Sequence, residues 1–347
     1  GHTEIGGADH AGLYIVRDGA VLRIADAGVI LRSEHFFFGS PAILNYNGAK
    51  YVIVAAKNVN NSNANMNNGS AHVQLFDPMT GSGVVGLHAN SGSFGSPVAL
   101  KNGIILASGG GNYGTRIYLP IGGSWTFNRP DSGNDNTGNL GANGYRIYQY
   151  GSAIAVGKDG KTVYEVGLKN GASNAMILCY DVAGILAAPH TITPSPLWSQ
   201  MLKGTLVAKT AAGGVILGEE GTVYVSTSAP GYVTAISADG QQILWEHAAA
   251  GDINGTPALG NDGAIYYNDC TLGNLVKIDA TTGETLVSLH LADNLISSPT
   301  IGPDGVIYCN GMLDGKPTLF AIDSTPSAPA DSWSQMAGNP SKTACKY

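Results

Sequence analysis

A short phrase recurs at a fixed interval along the C-terminal half of this chain. Residues 260–266 are Gly-Asn-Asp-Gly-Ala-Ile-Tyr, residues 302–308 are Gly-Pro-Asp-Gly-Val-Ile-Tyr, and residues 218–224 are Gly-Glu-Glu-Gly-Thr-Val-Tyr. These copies begin 42 positions apart, and a fourth copy, one residue longer, occupies residues 157–164. A period near 40 residues indicates stacked copies of one supersecondary unit. Function in such scaffolds resides in the loops that differ between copies.

Short apolar runs flank the phrase. A Ser/Thr-Pro segment precedes it, as at Thr256-Pro257 and Ser298-Pro299, and an apolar run ending in Asp follows it, as at Leu275–Asp279. The runs are rich in Val, Ile, Tyr and Leu and are bounded by Gly, Asp or Asn, which predicts strands separated by tight turns. Four strands per repeat without helical periodicity predict a β-propeller blade.

The same organisation, with longer loops, continues through the N-terminal half. It predicts an all-β fold, a seven-bladed β-propeller of four-stranded antiparallel blades that forms a single domain over residues 1–347. The predicted blades cover residues 10–38, 39–94, 95–150, 151–204, 205–254, 255–296 and 297–347. An eight-bladed ring is the alternative, because the irregular residues 112–150 could contain further strands.

Ring closure is expected to involve both ends of the chain. The first blade offers three apolar runs, Leu13–Val16, Val21–Ile24 and Val29–Arg32. The C-terminal segment, residues 332–347, is therefore expected to close onto blade 1 as its fourth strand, which would remove exposed edges.

Composition argues against two classes of partner. The chain has 18 Lys+Arg against 25 Asp+Glu and a net charge of −7, whereas non-specific nucleic-acid binding needs a basic surface. No run of 18 apolar residues occurs, so we expect no membrane insertion.

Only 12% of residues are charged, against about 25% in typical proteins. This pattern is typical of exported bacterial β-proteins, so we expect a monomeric module in the periplasm, at the cell surface or outside the cell, with any signal or anchor absent from this sequence.

Cysteine and histidine do not form recognisable metal motifs. No Cys-x-x-Cys pair occurs, and the even number of cysteines leaves disulfides and buried free thiols as open alternatives. Four histidines are expected near the ends of fourth strands, too far apart to share one ion and therefore at the surface or between blades. These residues are Cys179, Cys270, Cys309 and Cys345, and His35, His88, His247 and His290.

The repeat, with continuations such as Leu319–Asp323, resembles the PQQ-like (pyrroloquinoline-quinone) β-propeller repeat of the quinoprotein alcohol dehydrogenase-like superfamily. The ending Trp333–Thr343 resembles the Trp, Met, Gly-Asn-Pro and Thr pattern common in that family. The resemblance is strong over about residues 204–347 and weaker over 1–203. The family includes quinoprotein dehydrogenases, outer-membrane assembly lipoproteins and extracellular proteins, so the resemblance implies the fold more than the function.

The quinone-binding features of the family do not carry over. No adjacent Cys-Cys pair occurs, and Trp198 and Trp245 are expected in outer strands while Trp333 lies in the closing segment. We therefore expect no bound cofactor and no PQQ.

Aligning the repeats predicts a ligand site at one mouth of the central channel. Aromatic residues occur three positions before the start of successive inner strands, 56 positions apart, with polar residues nearby. Aromatic faces beside carboxylates and amides suit a sugar or a peptide segment, while inter-blade packing of the rings is the alternative. The predicted ligand-binding residues are Phe38, Phe94, Tyr145, Tyr148, Tyr150, Asp252, Asn254, Asp293 and Asn294.

Two insertions are predicted loops. Residues 131–139 place Asp131, Asp135 and Asn139 among glycines, a set of oxygens that could hold Ca²⁺, although the same residues are ordinary turn formers. Residues 58–69 contain seven Asn, which favours a solvated hairpin over a recognition loop.

These features favour a non-catalytic exported binding or scaffold protein, an assembly factor or adhesion module that presents a propeller face to a protein or a cell-surface glycan. No Gly-x-Ser-x-Gly nucleophile motif occurs. The alternative is a polysaccharide hydrolase or lyase at the channel mouth, in which Asp252 and Asp293 would serve as acid and base.

Overall fold

The computed structural model describes residues 2–5, 8–17, 20–26, 35–37, 41–58, 71–80, 83–88, 96–108, 115–127, 145–146, 154–169, 172–182, 195–206, 213–323, 328–332, 334–336 and 338. These residues form β-strands and turns and include no helix, which confirms the all-β prediction. Accordingly, none of them forms a helix long and apolar enough to span a bilayer.

The described strands form seven antiparallel sheets in chain order. Sheet 1 contains β1 (His2–Ile5), β2 (Ala8–Arg17) and β3 (Ala20–Asp26). Sheet 2 contains β4 (His35–Phe37), β5 (Ala42–Tyr46), β6 (Ala49–Asn58), β7 (Ala71–Phe76) and β8 (Gly83–His88). Sheet 3 contains β9 (Val98–Ala99), β10 (Ile105–Ser108), β11 (Thr115–Ile121) and β12 (Ser124–Phe127). Sheet 4 contains β13 (Tyr145–Arg146), β14 (Ala155–Val156), β15 (Thr162–Lys169), β16 (Ala175–Asp181) and β17 (Trp198–Met201).

The three C-terminal sheets have the most regular pattern. Sheet 5 contains β18 (Gly214–Leu217), β19 (Val223–Thr227), β20 (Tyr232–Ile236) and β21 (Ile243–Ala248). Sheet 6 contains β22 (Ala258–Leu259), β23 (Ala264–Asp269), β24 (Asn274–Asp279) and β25 (Thr285–His290). Sheet 7 contains β26 (Asn294–Leu295), β27 (Thr300–Ile301), β28 (Val306–Leu313) and β29 (Lys316–Asp323). Seven sheets fit the predicted seven blades, although the blade count and blade boundaries stay predictions because long segments lie outside the described residues.

Sheet 1 differs from its predicted composition. Its third member is β1, which pairs with β2, and the predicted run Val29–Arg32 lies outside the described residues. The sequence signal for β1 was weak, because Ile5 is the one aliphatic residue in His2–Ile5.

The recurring phrase forms the turn between the first and second strands of a sheet. In sheet 6, Gly260 N–H donates to Ala264 O (2.9 Å) and Gly263 N–H donates to Gly260 O (3.3 Å). Gly263 has φ +73°, a left-handed conformation that favours glycine. Sheet 3 has the same turn at residues 100–103, where Gly103 N–H donates to Leu100 O (2.9 Å). Sequence analysis missed that copy because it lacks the first Gly and the Asp.

Outer-strand tryptophans link consecutive sheets. Trp245 on β21 donates from its indole nitrogen to Ala280 O of sheet 6 (3.1 Å). Its ring lies where a Cβ on Gly283 would come within 2.6 Å. Trp198 on β17 covers Gly240 of sheet 5 in the same way. The two tryptophans are therefore in outer strands, as predicted, and pack on the turn of the next sheet.

The cysteines within the described residues are buried free thiols. They are Cys179, Cys270 and Cys309, and burial raises the pKa of each. This outcome favours the free-thiol interpretation for these three, while Cys345 lies outside the described residues.

The histidine prediction was correct for position in three cases and wrong in one. His88, His247 and His290 lie on the fourth strands β8, β21 and β25. His35 instead lies on β4, which pairs with the second strand β6 and so belongs to the inner edge of sheet 2.

His247 is an inter-sheet residue. Its Nδ1 lies 2.8 Å from Gly283 O, so Nδ1 carries the proton, and its Nε2 accepts from the Tyr267 hydroxyl (2.9 Å). Burial lowers the pKa of the His247 ring. Both contacts join sheet 5 to sheet 6.

Residues 328–332 and 334–336, which we call the channel segment, follow an unexpected path. Ala330 N–H donates to Leu259 O (3.0 Å), and Leu259 N–H donates to Ser334 O (2.6 Å). Ser332 Oγ donates to Leu217 O of sheet 5 (2.5 Å). Gln335 accepts from Ile301 N–H (2.9 Å) and donates to Ile301 O (3.3 Å) in sheet 7.

The channel segment thus covers the inner strands of sheets 5, 6 and 7. Ser334 and Gln335 are each only 1% exposed. The described part of the predicted closing segment therefore contacts sheets 5 to 7. Residues 339–347 lie outside the described residues, so closure onto blade 1 stays a prediction.

Candidate functional site

The two faces of the sheets are distinct. Because strands alternate in direction, the turns between second and third strands lie on the same face as the crossings from one sheet to the next. We call this the upper face. The repeated Gly-x-Asp-Gly turns and the channel segment, which bonds to Leu259 and Asn261, lie at the opposite, lower face.

The crossing from sheet 6 to sheet 7 is fixed on both sides. Leu291 N–H donates to Gly273 O (2.9 Å) in the turn between β23 and β24. Asp293 N–H donates to Met312 O (2.8 Å), and Gly315 N–H donates to Asp293 Oδ2 (3.4 Å) in the turn between β28 and β29. The two turns and the crossing therefore form one continuous surface.

Large apolar side chains are exposed on this surface. Leu272 is 43% exposed, Ile296 is 52% exposed and Leu313 is 38% exposed. Asp293 and Asn294, both exposed, lie between them in the chain crossing. We call these five residues the upper-face patch.

The preceding crossing, from sheet 5 to sheet 6, carries Asp252 and Asn254. Asp252 N–H donates to Thr271 Oγ1 (3.2 Å), Asp252 O accepts from Cys270 N–H (2.8 Å), and Asn254 N–H contacts Cys270 Sγ (3.4 Å). Both side chains are partly exposed. The backbone of this crossing is thus held against the turn that also carries Leu272.

A buried carboxylate that the sequence patterns did not identify, Asp269, lies beneath that turn. It is 1% exposed, and its Oδ1 accepts from Leu272 N–H (3.0 Å). The nearby Asp269 charge contributes to the raised pKa values of Tyr267 and Cys270, after burial as the main cause. Aligning the repeats could have identified Asp269, because it places this carboxylate at the position that Thr227 holds in sheet 5.

Sequence analysis also missed Leu272 and Leu313. Leu272 lies in the turn between β23 and β24, where Gly, Asp and Asn are usual, and Leu313 is the last residue of β28, beside the next such turn. A leucine in or beside such a turn is a signal that could have identified them, because an exposed apolar side chain there makes no contribution to the core.

The remaining predicted site residues are placed as follows. Tyr145 lies on β13, opposite Lys169 of β15, at the inner edge of sheet 4. The other predicted ligand-binding residues and the predicted Ca²⁺ ligands lie outside the described residues: Phe38, Phe94, Tyr148, Tyr150, Asp131, Asp135 and Asn139. Among the residues that the structure describes, no cluster of three or more His, Cys, Asp or Glu side chains could hold a metal ion.

Comparison with known proteins bears on this arrangement of sheets. The family model for outer membrane protein assembly factor BamB, a PQQ-like repeat model, matches residues 183–341. This match supports the predicted resemblance to the PQQ-like propeller repeat over residues 183–341. No curated protein matches the chain.

Solved structures are similar in fold to this chain over most of its length. A chain of the mitotic checkpoint complex aligns with a TM-score of 0.58 at 11% identity, over 91% of this chain and 83% of that chain. The β-propeller domain of Cps50 (Swd1) from Myceliophteria thermophila aligns with a TM-score of 0.51 at 9% identity, over 82% and 84%. Kuenenia stuttgartiensis hydrazine synthase aligns with a TM-score of 0.51 at 12% identity, over 82% and 84%. At these identities the likeness shows the fold alone.

Proposed function

We propose that this chain is a non-catalytic scaffold that binds a protein partner through the upper-face patch. The observation that carries the proposal is the exposure of Leu272, Ile296 and Leu313 on adjoining, hydrogen-bonded segments of sheets 6 and 7. Exposed apolar side chains rimmed by polar groups are characteristic of protein interaction sites. The backbone beneath them is fixed, so binding would cost little ordering entropy.

The charge of the patch indicates the kind of partner. Asp293 and the neighbouring exposed Asp314 bring negative charge to its rim. A partner surface with apolar residues and flanking Lys or Arg would complement this arrangement. The acidic and charge-poor composition of the whole chain suits the same type of contact.

Export to the periplasm or cell surface is part of the proposal. Its support is the match to a model named for an outer membrane protein assembly factor, together with the low content of charged residues. An assembly role of that type remains a proposal for this chain. A cell-surface glycan is a second class of partner, supported only by the predicted aromatic ring positions.

The test uses a photo-crosslinking amino acid at Ile296, with Leu244 as matched control. Leu244 is 50% exposed but lies on β21 at the outer rim. We expect a discrete adduct with one protein from Ile296 and none from Leu244. We further expect Leu272→Asp with Leu313→Asp to abolish that adduct while the unfolding transition stays unchanged. Equal adducts from both positions, or none from Ile296, would remove the upper-face patch from consideration.

A further inference from the structure

Among the described residues, sheet 7 has no outer strand like those that complete sheets 5 and 6. In sheet 5 the third strand β20 pairs with β19 on one side and β21 on the other. In sheet 6 the third strand β24 pairs likewise with β23 and β25. Among the described residues, β29 pairs with β28 alone. No strand within the described part of the chain pairs with its second edge along residues 318–322.

The repeat register shows which part of that edge is open. The repeat tyrosines Tyr224, Tyr266 and Tyr308 stand opposite Ala235, Lys277 and Ala321. Residues 232–236 of β20 and 274–278 of β24 each form five pairs with their outer strands. The equivalent five residues of β29 are 318–322. Lys316 and Pro317, which would hinder strand addition, lie just outside this window.

The chain itself moves away from this edge. Only four residues, 324–327, separate β29 from Ala328, whose N–H already donates to Asn261 Oδ1 of sheet 6 (2.9 Å). Four residues span at most about 14 Å when fully extended, less than a five- to six-residue strand and its turn require. Diversion into the channel segment therefore prevents this stretch from completing sheet 7.

Apolar side chains are exposed on the outer strand of sheet 6, β25, and on the third strand of sheet 7, β29, which border the position of the missing outer strand. Val287 and Leu289 on β25 are 52% and 42% exposed, and Leu319 on β29 is 70% exposed. At the repeat positions of Val287 and Leu289, sheet 5 carries Trp245 and His247, which are covered by the Gly283 turn of the next sheet. In sheet 7 the residues at the repeat position of that turn, 324–327, lie outside the described residues, and no described residue of sheet 7 takes the place of the turn.

We propose that the outer edge of sheet 7, at Thr318–Ile322, receives an extended segment of a partner polypeptide as its fourth strand. Sheets 5 and 6 provide the template for this segment: six residues, antiparallel to the third strand. The partner would be apolar at alternate positions, so that every second side chain covers Val287 and Leu289. Main-chain hydrogen bonds would supply affinity and these side chains specificity.

A second copy of this chain is a poorer occupant. When two β29 strands pair antiparallel about residues 318–322, Pro317 of each copy enters the ladder without an N–H to donate. The site is also separate from the upper-face patch, so the patch and the edge can fail independently.

The experiment uses the whole chain and a synthetic peptide with the sequence of residues 284–291, which contains the outer strand of sheet 6. We expect saturable binding by fluorescence anisotropy and slower amide hydrogen exchange at residues 318–322 when the peptide is bound. The same peptide N-methylated at alternate amides should bind at least tenfold more weakly, because its strand pairing is blocked while its side chains are kept.

A matched pair of variants tests whether the exposed side chains of β25 contribute to peptide binding. Val287→Lys should raise the Kd at least tenfold, whereas Leu244→Lys, at a similarly exposed site on β21, should leave it unchanged. Exchange protection elsewhere, or equal binding of the N-methylated peptide, would overturn the proposal. Protection of residues 318–322 without peptide would also overturn it: if concentration-dependent, a second copy fills the edge, and if not, the chain covers its own edge.

Discussion

Glu165 is a buried acid at a position that is otherwise not acidic. It follows the repeat tyrosine of sheet 4, where the later copies carry Val225, Tyr267 and Cys309. Its side chain is fully buried, and neither carboxyl oxygen has a hydrogen-bond partner among the described residues. Burial raises the pKa of Glu165 from its ordinary 4.5 to about 8, and the nearby Thr115 hydroxyl offsets part of this rise. The side chain is therefore held mainly as the neutral acid at pH 7.

The raised pKa predicts a pH-dependent stability. Between pH 4.5 and about pH 8 the unfolded chain loses the Glu165 proton while the folded chain keeps it. The free energy of unfolding should therefore fall as pH rises through this window, by up to about 1.4 kcal/mol per pH unit. Glu165→Gln should remove that slope in urea unfolding at pH 5, 6.5 and 8. The exposed Glu220→Gln should retain it, and parallel curves for the wild type and Glu165→Gln would contradict the assignment.

At the scale of elements, the connection between sheets depends on a tryptophan seated on a glycine turn. Gly283 has φ +75°, and a Cβ there would meet the Trp245 ring at 2.6 Å. Gly263 has φ +73°, but a Cβ there would have nothing within 4 Å. Both glycines have the same left-handed backbone conformation, but only a side chain at position 283 would meet the tryptophan ring.

Alanine substitutions at Gly263 and Gly283 separate the cost of a left-handed backbone from the cost of displacing the indole ring. Gly263→Ala should cost about 1–2 kcal/mol of unfolding free energy, because only the left-handed conformation opposes it. Gly283→Ala should cost about 1–3 kcal/mol more, because the indole must also move. Tryptophan fluorescence during urea unfolding measures both, and Trp245 emission should change only in the Gly283 variant. Equal costs would mean that the ring adjusts freely.

Local patterns explain why much of the fold could be predicted from the sequence. The turn at Gly260–Gly263 is set by its own glycines, so its copies identify the strands and the repeat. The path of the channel segment could not be predicted, because Ala330 and Gln335 bond to backbone atoms that every sequence offers. For the candidate site, repeat alignment identified Asp293, whereas Leu313 was missed because its exposure depends on a turn that varies between copies.

At the scale of the whole molecule, the channel segment joins three consecutive sheets. Removing residues 328–347 deletes its bonds to Leu217, Leu259 and Ile301. Buried backbone groups left without partners cost about 1–3 kcal/mol each. We therefore expect a lower Tm and faster amide hydrogen exchange at Leu259 and Ile301. Exchange in β10 and β15, away from the bonds to Leu217, Leu259 and Ile301, should change little, and uniform acceleration would argue against a local role.

The channel segment also sets an order of events during synthesis. The channel segment follows sheets 5, 6 and 7 in the chain, yet it is bonded to the inner strands of all three. The inner strands therefore have no covering while they are being made, and their exposed amides must be tolerated or shielded until the segment arrives.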